Sequence, residues 1–355
     1  MYDIAVIGLG PAGSFLVKHL NKKYSVIAID KKSPEENGDE NGGFHKPCGG
    51  LLAPDAQKSL SCFNLTLPKD ILVSPQIFSV RAIDVNTALI RHYQRFYINM
   101  DRHKFDLWLM SQIPDHVDFR GQSVCVGIKR EESGFRIDFT ERGQSRTVYS
   151  RYIVGADGAA SVVRRELFPD ERVRAYLSIQ QWFVDTHSNP FYSCVFDSSL
   201  TDSYAWGLTK DERFIFGGAF SIETGKQDFE KLKEKTRPYG FHLEDPIKTE
   251  ACLVLCPGEP GSFCCGRDGA FLVGEAAGFI SPSSLEGISY AIDSAYLLSR
   301  CFDDGRADPN REYREKTRRI RLKLYSKCLK RAVLYNQTCR KLIMKSGLMS
   351  VPILA

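Results

Sequence analysis

The chain has 355 residues, 43% of them hydrophobic and 26% charged, with a net charge of +5. That is long enough for two domains with sizeable cores, and the apolar fraction excludes a disordered chain. Eleven cysteines, an odd number with no CxxC pair, argue against a disulfide framework or a metal site and for reduced, buried thiols. The N-terminus runs straight into an apolar strand that Asp3 interrupts, unlike a signal peptide, and no stretch is as long as a membrane span. A cytoplasmic protein is expected.

Residues 3–7 form an apolar run of strand length that ends at Gly8-Leu9-Gly10-Pro11-Ala12-Gly13. Residues 14–20 read as a helix, and residues 24–30 as a second strand closing on Asp30. In such a unit Gly8 permits the tight turn, Gly10 lets backbone amides approach a pyrophosphate, and Gly13 lets helix and strand pack closely. Asp30, seventeen residues past Gly13, is placed to accept from a ribose hydroxyl pair and would repel a 2'-phosphate. The ligand expected here is therefore FAD or NAD. The plainer reading is a βα turn, since glycine turns are common; the strand before, the helix after and the spaced acid favour the dinucleotide.

Residues 31–46 are polar and glycine-rich and read as a loop. Small residues return at Lys46-Pro47-Cys48-Gly49-Gly50-Leu51, before a short helix over 54–60. Residues 76–98 alternate in parts and suggest strands that leave the nucleotide domain, and residues 102–109 open a helix back in it. Residues 117–154 hold short strands with charged turns at 129–134 and 142–146. Residues 177–220 are strand-rich and aromatic, as an antiparallel sheet lining a ligand cavity would be. A charged surface helix over 226–240 and a strand over 247–256 follow. A second strand-turn-helix unit then runs through 270–273, Gly274 to Gly278, and 284–302.

From residue 311 to 345 there are thirteen Lys and Arg against two Glu, so this stretch carries +11 and the rest of the chain −6. A solvated face on basic helices is the plain reading of residues 310–349. Peripheral contact with an anionic membrane, or with an acidic partner, is the alternative. No aromatic-interleaved basic groove appears, so no nucleic acid is expected.

Three separated segments place small residues and a carboxylate after an apolar strand: GLGPAG with Asp30, GADGAASVVR with Asp157 and Arg164, and GEAAGFISPSSLEG with Glu275. A simple dehydrogenase needs only the first. Using all three implies a long ligand, with adenosine at Gly8 to Asp30, a ribityl chain near Glu275, and a flavin ring beside the helix that follows.

These motifs resemble the FAD-dependent oxidoreductases of the p-hydroxybenzoate-hydroxylase fold, and within them the geranylgeranyl reductase family, most closely one of its bacterial branches. The resemblance covers nearly the whole chain. It implies an α/β fold: a Rossmann-like FAD-binding domain (1–75, 101–175, 256–305), an inserted antiparallel-sheet substrate domain (76–100, 176–255), and C-terminal basic helices (306–355). KPCGGLL resembles the family's CGG segment beside the flavin, which brings in Cys48, Gly49 and Gly50. Arg102 resembles its cofactor-contacting arginine, and Asp157-Gly158 its DG motif. GEAAGFISPSSLEGI, with Gly274, Glu275, Gly287 and Ile288, resembles the GDAAGxxxPxxGEGI segment, with Glu in place of the usual Asp. Lys31 and Val124 complete the cofactor contacts it implies. Tyr204-Ala205-Trp206-Gly207-Leu208-Thr209 is similar to the reductases' YxWxFP stretch, with Leu208 and Thr209 replacing Phe and Pro.

The family chemistry implied is hydride delivery from flavin N5 to a carbon-carbon double bond of an apolar, isoprenoid-like substrate, with a proton donor nearby. Cys48 is the first candidate donor, with Lys46 as a modulator of its pKa; a small residue kept for its volume is the competing reading. Tyr204 is the second candidate, with pocket lining as its favoured reading. Trp206 is likewise expected to line the pocket, and Trp182 either lines it or packs in the core. No second GxGxxG exists, so the electron donor is NAD(P)H bound transiently or a reduced ferredoxin or flavodoxin. Two alternatives stay open: an oxygen-dependent monooxygenase on the same fold, and a protein that binds flavin without turnover.

Overall fold

The computed structural model of the chain describes residues 1–33, 46–186, 191–259, 261–305 and 308–354. Most of the loop read over 31–46 lies outside the described residues. The chain divides into two compact units. The first gathers residues 1–45, 103–174 and 255–326, and the second residues 46–102, 175–254 and 327–355.

In the first unit, strand Tyr2–Ile7 is buried over Ile4, Ala5, Val6 and Ile7, as an apolar run in the middle of a parallel sheet must be. It pairs in parallel with Val26–Ile29 on one side and with the second half of Gln144–Gly155 on the other. Asp118–Arg120 and Ala270–Leu272 extend the layer outward, also in parallel. The first half of Gln144–Gly155 instead joins Gly134–Glu141 and Ser123–Glu131 in an antiparallel meander. The register sets Ile7, Gly155 and Leu272 in one row, so three strands far apart in sequence end side by side. In open α/β sheets this carboxyl edge is where ligands bind.

Two helix starts differ from the sequence reading. The first helix is Pro11–His19, beginning at a proline whose missing N–H is no loss in a first turn. The helix read from residue 284 is Ile288–Asp304. Ahead of it, Leu285 sits at φ +52° and the Ser281 N–H reaches the Glu286 carbonyl at 2.9 Å, closing a loop that postpones the helix to Gly287.

The second unit is built on an eight-stranded sheet in the order Lys248–Leu255, Ala175–Val184, Arg213–Phe220, Ala205–Lys210, Tyr192–Phe196, Ile77–Asp84, Leu89–Asn99, Leu51–Leu52. It is not wholly antiparallel: Tyr192–Phe196 runs parallel to Ile77–Asp84. Parallel neighbours need a long crossover, and the excursion of the chain through the first unit supplies one. On one face Ile179, Phe183, Phe214, Phe216 and Phe220 pack against Phe229 and Leu232 of helix Gly225–Thr236. The two-residue alternation puts Gln180, Trp182, Trp206, Leu208 and Lys210 on the other face.

Two boundaries move. Residues 46–75 go with the second unit, because Leu51 and Leu52 pair with Asn99 and Ile98 as its edge strand. The C-terminal helices divide at residue 326. Beyond it, Arg340 forms a buried ion pair with Asp84 at 2.8 Å and Arg331 binds Asp202 at 2.7 Å, so these helices are part of the second unit rather than an appendage. All eleven cysteines are free thiols. Among the described residues no His, Cys, Asp and Glu group suits a metal ion, and no helix is long and apolar enough to cross a membrane.

Candidate functional site

In the first unit the three small-residue turns meet at the carboxyl edge of the parallel sheet. Gly8, at φ +91°, lies so close to the backbone of Ala156 and Asp157 that a Cβ would stand 2.7 Å from the Asp157 Cα. At Gly13 a Cβ would fall 1.8 Å from the Gly8 carbonyl oxygen, which is the close helix-strand packing the third glycine exists to allow. The Gly274 turn completes the group: a Cβ there would meet the Ala12 side chain at 3.0 Å, and its N–H donates to Ser294 Oγ at 3.0 Å. Gly10 differs from all of these, because a Cβ there would touch nothing within 4 Å among the described residues. It is also the N-cap of a helix that has no side-chain cap. An open approach to uncapped amides at a helix start is what a pyrophosphate requires, so these residues fit a dinucleotide. Helix Ile288–Asp304 likewise starts at Gly287 without a side-chain cap, and Ile288 is buried.

The acids of the three motifs also hold the turns in shape. Asp30 is buried; one carboxylate oxygen accepts the Leu9 N–H and the other the Lys32 N–H at 2.7 Å. Its backbone N–H reaches the Arg120 carbonyl, and its carbonyl accepts from Ser123, which sets exposed Val124 one residue from the Asp30 strand end. Lys31 is exposed beside it. Asp157 accepts from Ser161 Oγ at 2.5 Å and from the Val162 N–H at 2.7 Å, capping helix Val162–Leu167. Burial pushes its carboxyl up, against the pull of those hydrogen bonds. Gly158 follows it at φ +72°. Glu275 accepts the Leu255 N–H at 3.0 Å.

Two further side chains bind this edge together, Arg164 of the GADGAASVVR segment and Lys32, of which only Lys32 was not singled out from sequence. Arg164 is buried and donates to the Ala276 carbonyl at 2.9 Å, tying the Asp157 segment to the Gly274 turn. Lys32 forms a buried ion pair with Asp106 at 2.6 Å. Asp106 is the inward acid of helix Arg102–Met110, which Arg102 opens.

In the second unit the CGG segment and the aromatic face of the sheet come together. Gly49 lies over Leu208 and Trp206, where a Cβ would stand 3.8 and 3.9 Å away. Gly50, at φ +61°, leaves room for Lys210, whose Nζ a Cβ would approach to 2.6 Å. The half-buried thiol of Cys48 accepts the Gly50 N–H at 3.4 Å. Sequence proximity pointed to Lys46 as the cation acting on this thiol, and the structure adds Lys210 beside it. The buried Lys210 ammonium donates to Met100 O at 2.6 Å, Asn99 Oδ1 at 2.8 Å and Gly50 O at 3.3 Å. Burial pulls its pKa down to about 8, with the charges of Cys48, Asp101 and Asp211 opposing. The signal was available: Lys210 continues the alternation of Trp206 and Leu208.

The tryptophans separate. The Trp182 indole N–H donates to Glu250 at 2.7 Å, whereas that of Trp206 is buried with no hydrogen-bond partner among the described residues. The Trp206 ring covers Gly217, where a Cβ would lie 2.7 Å from it. The Tyr204 hydroxyl stands 3.5 Å from that of Tyr192, a residue the sequence reading passed over. Burial raises the Tyr192 hydroxyl well above its ordinary pKa and pushes the Cys194 thiol to about 12, so both stay protonated at neutral pH.

Glycine turns converging at the carboxyl edge of a parallel sheet, with a second sheet inserted in the chain, define a Rossmann-like flavoprotein fold. Solved structures share it, among them the following two. A geranylgeranyl bacteriochlorophyll reductase-like protein from Thermoplasma acidophilum matches with a TM-score of 0.78 and 18% identity over 99% of this chain and 92% of its own. PqsL, described as a probable FAD-dependent monooxygenase from Pseudomonas aeruginosa, matches with a TM-score of 0.68 and 15% identity over 98% and 99%. At those identities the likeness is one of fold. Sequence narrows it further: the chain belongs to the CbrA family, being 50% identical over 351 residues to the CbrA protein of Escherichia coli O6:H1, across 99% of this chain and 95% of that one. No protein-family model matches the chain.

Proposed function

We propose that the chain is an FAD-dependent oxidoreductase that reduces a carbon-carbon double bond of an apolar, isoprenoid-like substrate. The first unit would hold the cofactor, with the Gly10 loop and the start of helix Pro11–His19 at the pyrophosphate, Asp30 at the adenosine ribose and the Gly274–Glu275 turn at the ribityl chain. Bound FAD supplies hydride at N5. The observation that carries the substrate reading is the face of the second unit's sheet that bears Trp206 and Leu208. There Trp206 and Leu208 stand buried against Gly49, with the Tyr204 ring beside that of Trp206, and the indole N–H has no partner among the described residues. Ring faces and a leucine receive an apolar chain, and the open indole N–H can donate to a polar group at its end. The adjacent carbon needs a proton, for which Cys48 and the Tyr204–Tyr192 hydroxyl pair are the candidates. Lys210 positions Cys48 by clamping Gly50. NAD(P)H or a reduced ferredoxin or flavodoxin would deliver the electrons, in the cytoplasm.

The Thermoplasma protein's reductase-like description and higher TM-score support this over hydroxylation. The test is anaerobic. Enzyme reduced chemically should be reoxidised on adding polyprenyl compounds, read at the visible flavin band, with a saturated product. Flavin that stays reduced across a panel of such lipids refutes it. The likeness to PqsL favours one second reading, a monooxygenase, which predicts NAD(P)H consumption coupled to an oxygenated product.

A further inference from the structure

The C-terminal segment of the second unit carries exposed side chains that the proposed reaction does not use. Its residues 327–355 contain six Lys and Arg and no Asp or Glu. Helix Gln337–Ser346 is docked by its inner side: Arg340 pairs with Asp84, Met344 is buried, and the Met344 carbonyl accepts from Arg91 Nε at 2.7 Å. The tail is held too, since the Val351 N–H donates to the His92 carbonyl at 2.8 Å. This segment is therefore ordered, yet it leaves eight large apolar side chains exposed between residues 329 and 354, including Leu329 at 73%, Leu342 at 64%, Leu348 at 64% and Met349 at 72%. Exposed lysines alternate with them: Lys330 follows Leu329, and Lys341 and Lys345 bracket Leu342 and Ile343.

A solvated face would put polar residues at these positions, and a grouping of exposed apolar side chains marks an interaction site. A second copy of the chain is a poor occupant, because a self-complementary contact would set these lysines against one another with no acid between them. We infer that this face docks on an anionic lipid bilayer, the leucines and Met349 entering the headgroup boundary and the lysines meeting lipid phosphates. The inference does not depend on the substrate: it concerns where the protein sits, not what it reduces.

The test is flotation of the full-length protein with phosphatidylcholine vesicles made with and without phosphatidylglycerol. Wild type should float only with the anionic vesicles and be released by high salt. Lys341→Glu with Lys345→Glu should weaken binding by about twentyfold or more, at about fivefold per lysine. Leu342→Glu with Leu348→Glu should abolish it, while the charge-matched control Lys129→Glu on the first unit should not. Unchanged far-ultraviolet circular dichroism and melting identify variants that remain folded. Equal flotation with both vesicle types, no flotation, or retained binding in either double variant overturns the inference. So does light scattering showing a wild-type dimer that the leucine variant breaks, which would assign the face to self-association.

Discussion

Lys210 is the residue whose behaviour the geometry predicts most sharply. Its ammonium is buried and its three donors are all used, by Met100 O, Asn99 Oδ1 and Gly50 O. Burial nevertheless wins, and the pKa falls from 10.5 to about 8. Below pH 8 the folded and unfolded states both carry the proton, and the burial penalty is constant. Between 8 and 10.5 the folded protein has released a proton that the unfolded chain still binds, so this group's contribution to stability rises with pH. A depression of that size corresponds to about 3 kcal/mol. At neutral pH Lys210→Met removes the penalty but orphans three acceptors, at about 1–3 kcal/mol each, so the net change there is not diagnostic. The pH dependence is. Urea unfolding of wild type and Lys210→Met, from below pH 8 up to 10.5, should show their difference flat at first and then moving in favour of wild type by up to about 3 kcal/mol. Cys125 and Cys194, each pushed up to about 12 by burial, act in the opposite sense: they stay protonated when folded, while unfolded thiols ionise near 9.0, so stability falls above that pH. Both proteins share that loss, and it cancels in the difference. A difference that stays flat to pH 10.5 would show that the lysine keeps an ordinary pKa and that the clamp on Gly50 has been misjudged.

Other substitutions separate structural from chemical roles. Gly10→Ala should leave stability within about 1 kcal/mol, since its Cβ meets nothing, yet lower the flavin bound on purification; Gly13→Ala, with a Cβ 1.8 Å from the Gly8 carbonyl, should destabilise by about 3 kcal/mol, seen in thermal melts. Cys48→Ala should slow turnover of a reducible lipid by about a hundredfold or more at unchanged flavin content, and unaltered turnover would transfer the proton-donor role to Tyr204, tested by Tyr204→Phe. Arg340→Met leaves Asp84 buried without its cation and should cost about 3–5 kcal/mol in urea unfolding, part of which Asp84→Asn in the same chain should restore.

What could be read from sequence was what the local backbone demands. Gly8, Gly10 and Gly13 are required by a turn of six residues, and the strand and helix flanking them are their own context. The same holds for Gly274 and Gly158, which is why the carboxyl edge of the parallel sheet was legible before any coordinates. The second unit was harder because its decisive pairs are distant. Lys210 acts on Gly50 from 160 residues away, and Arg340 reaches Asp84 across 256. No periodicity links such positions. The parallel pairing of Tyr192–Phe196 with Ile77–Asp84 was hidden for the same reason: strand composition does not encode the direction of a neighbour that the chain reaches only after crossing another unit. Trp182 and Trp206 looked alike from composition, and only the position of Glu250 shows that one indole is satisfied and the other open.

Glycine does related work in both units, which explains why it marks the candidate site better than any charged residue. At Gly10 the missing side chain leaves backbone amides at a helix start open to a charged group. At Gly217 it leaves strand backbone open to the flat face of Trp206, and Gly49 leaves room beside that same ring. At Gly217 and Gly49 the indole of Trp206 lies against the surface a Cβ would have occupied, and at Gly10 that surface is open, as a pyrophosphate would require. The acids of the first unit, by contrast, bind backbone amides and hold the turns: Asp30 fixes Leu9 and Lys32, and Asp157 caps its helix. Removing those carboxylates would therefore disturb the shape of the cradle as well as any contact with a cofactor. Flavin affinity in Asp30→Asn or Asp157→Asn thus reports on turn geometry and ligand contact together, whereas Gly10→Ala, which touches no protein atom, reports on the ligand alone.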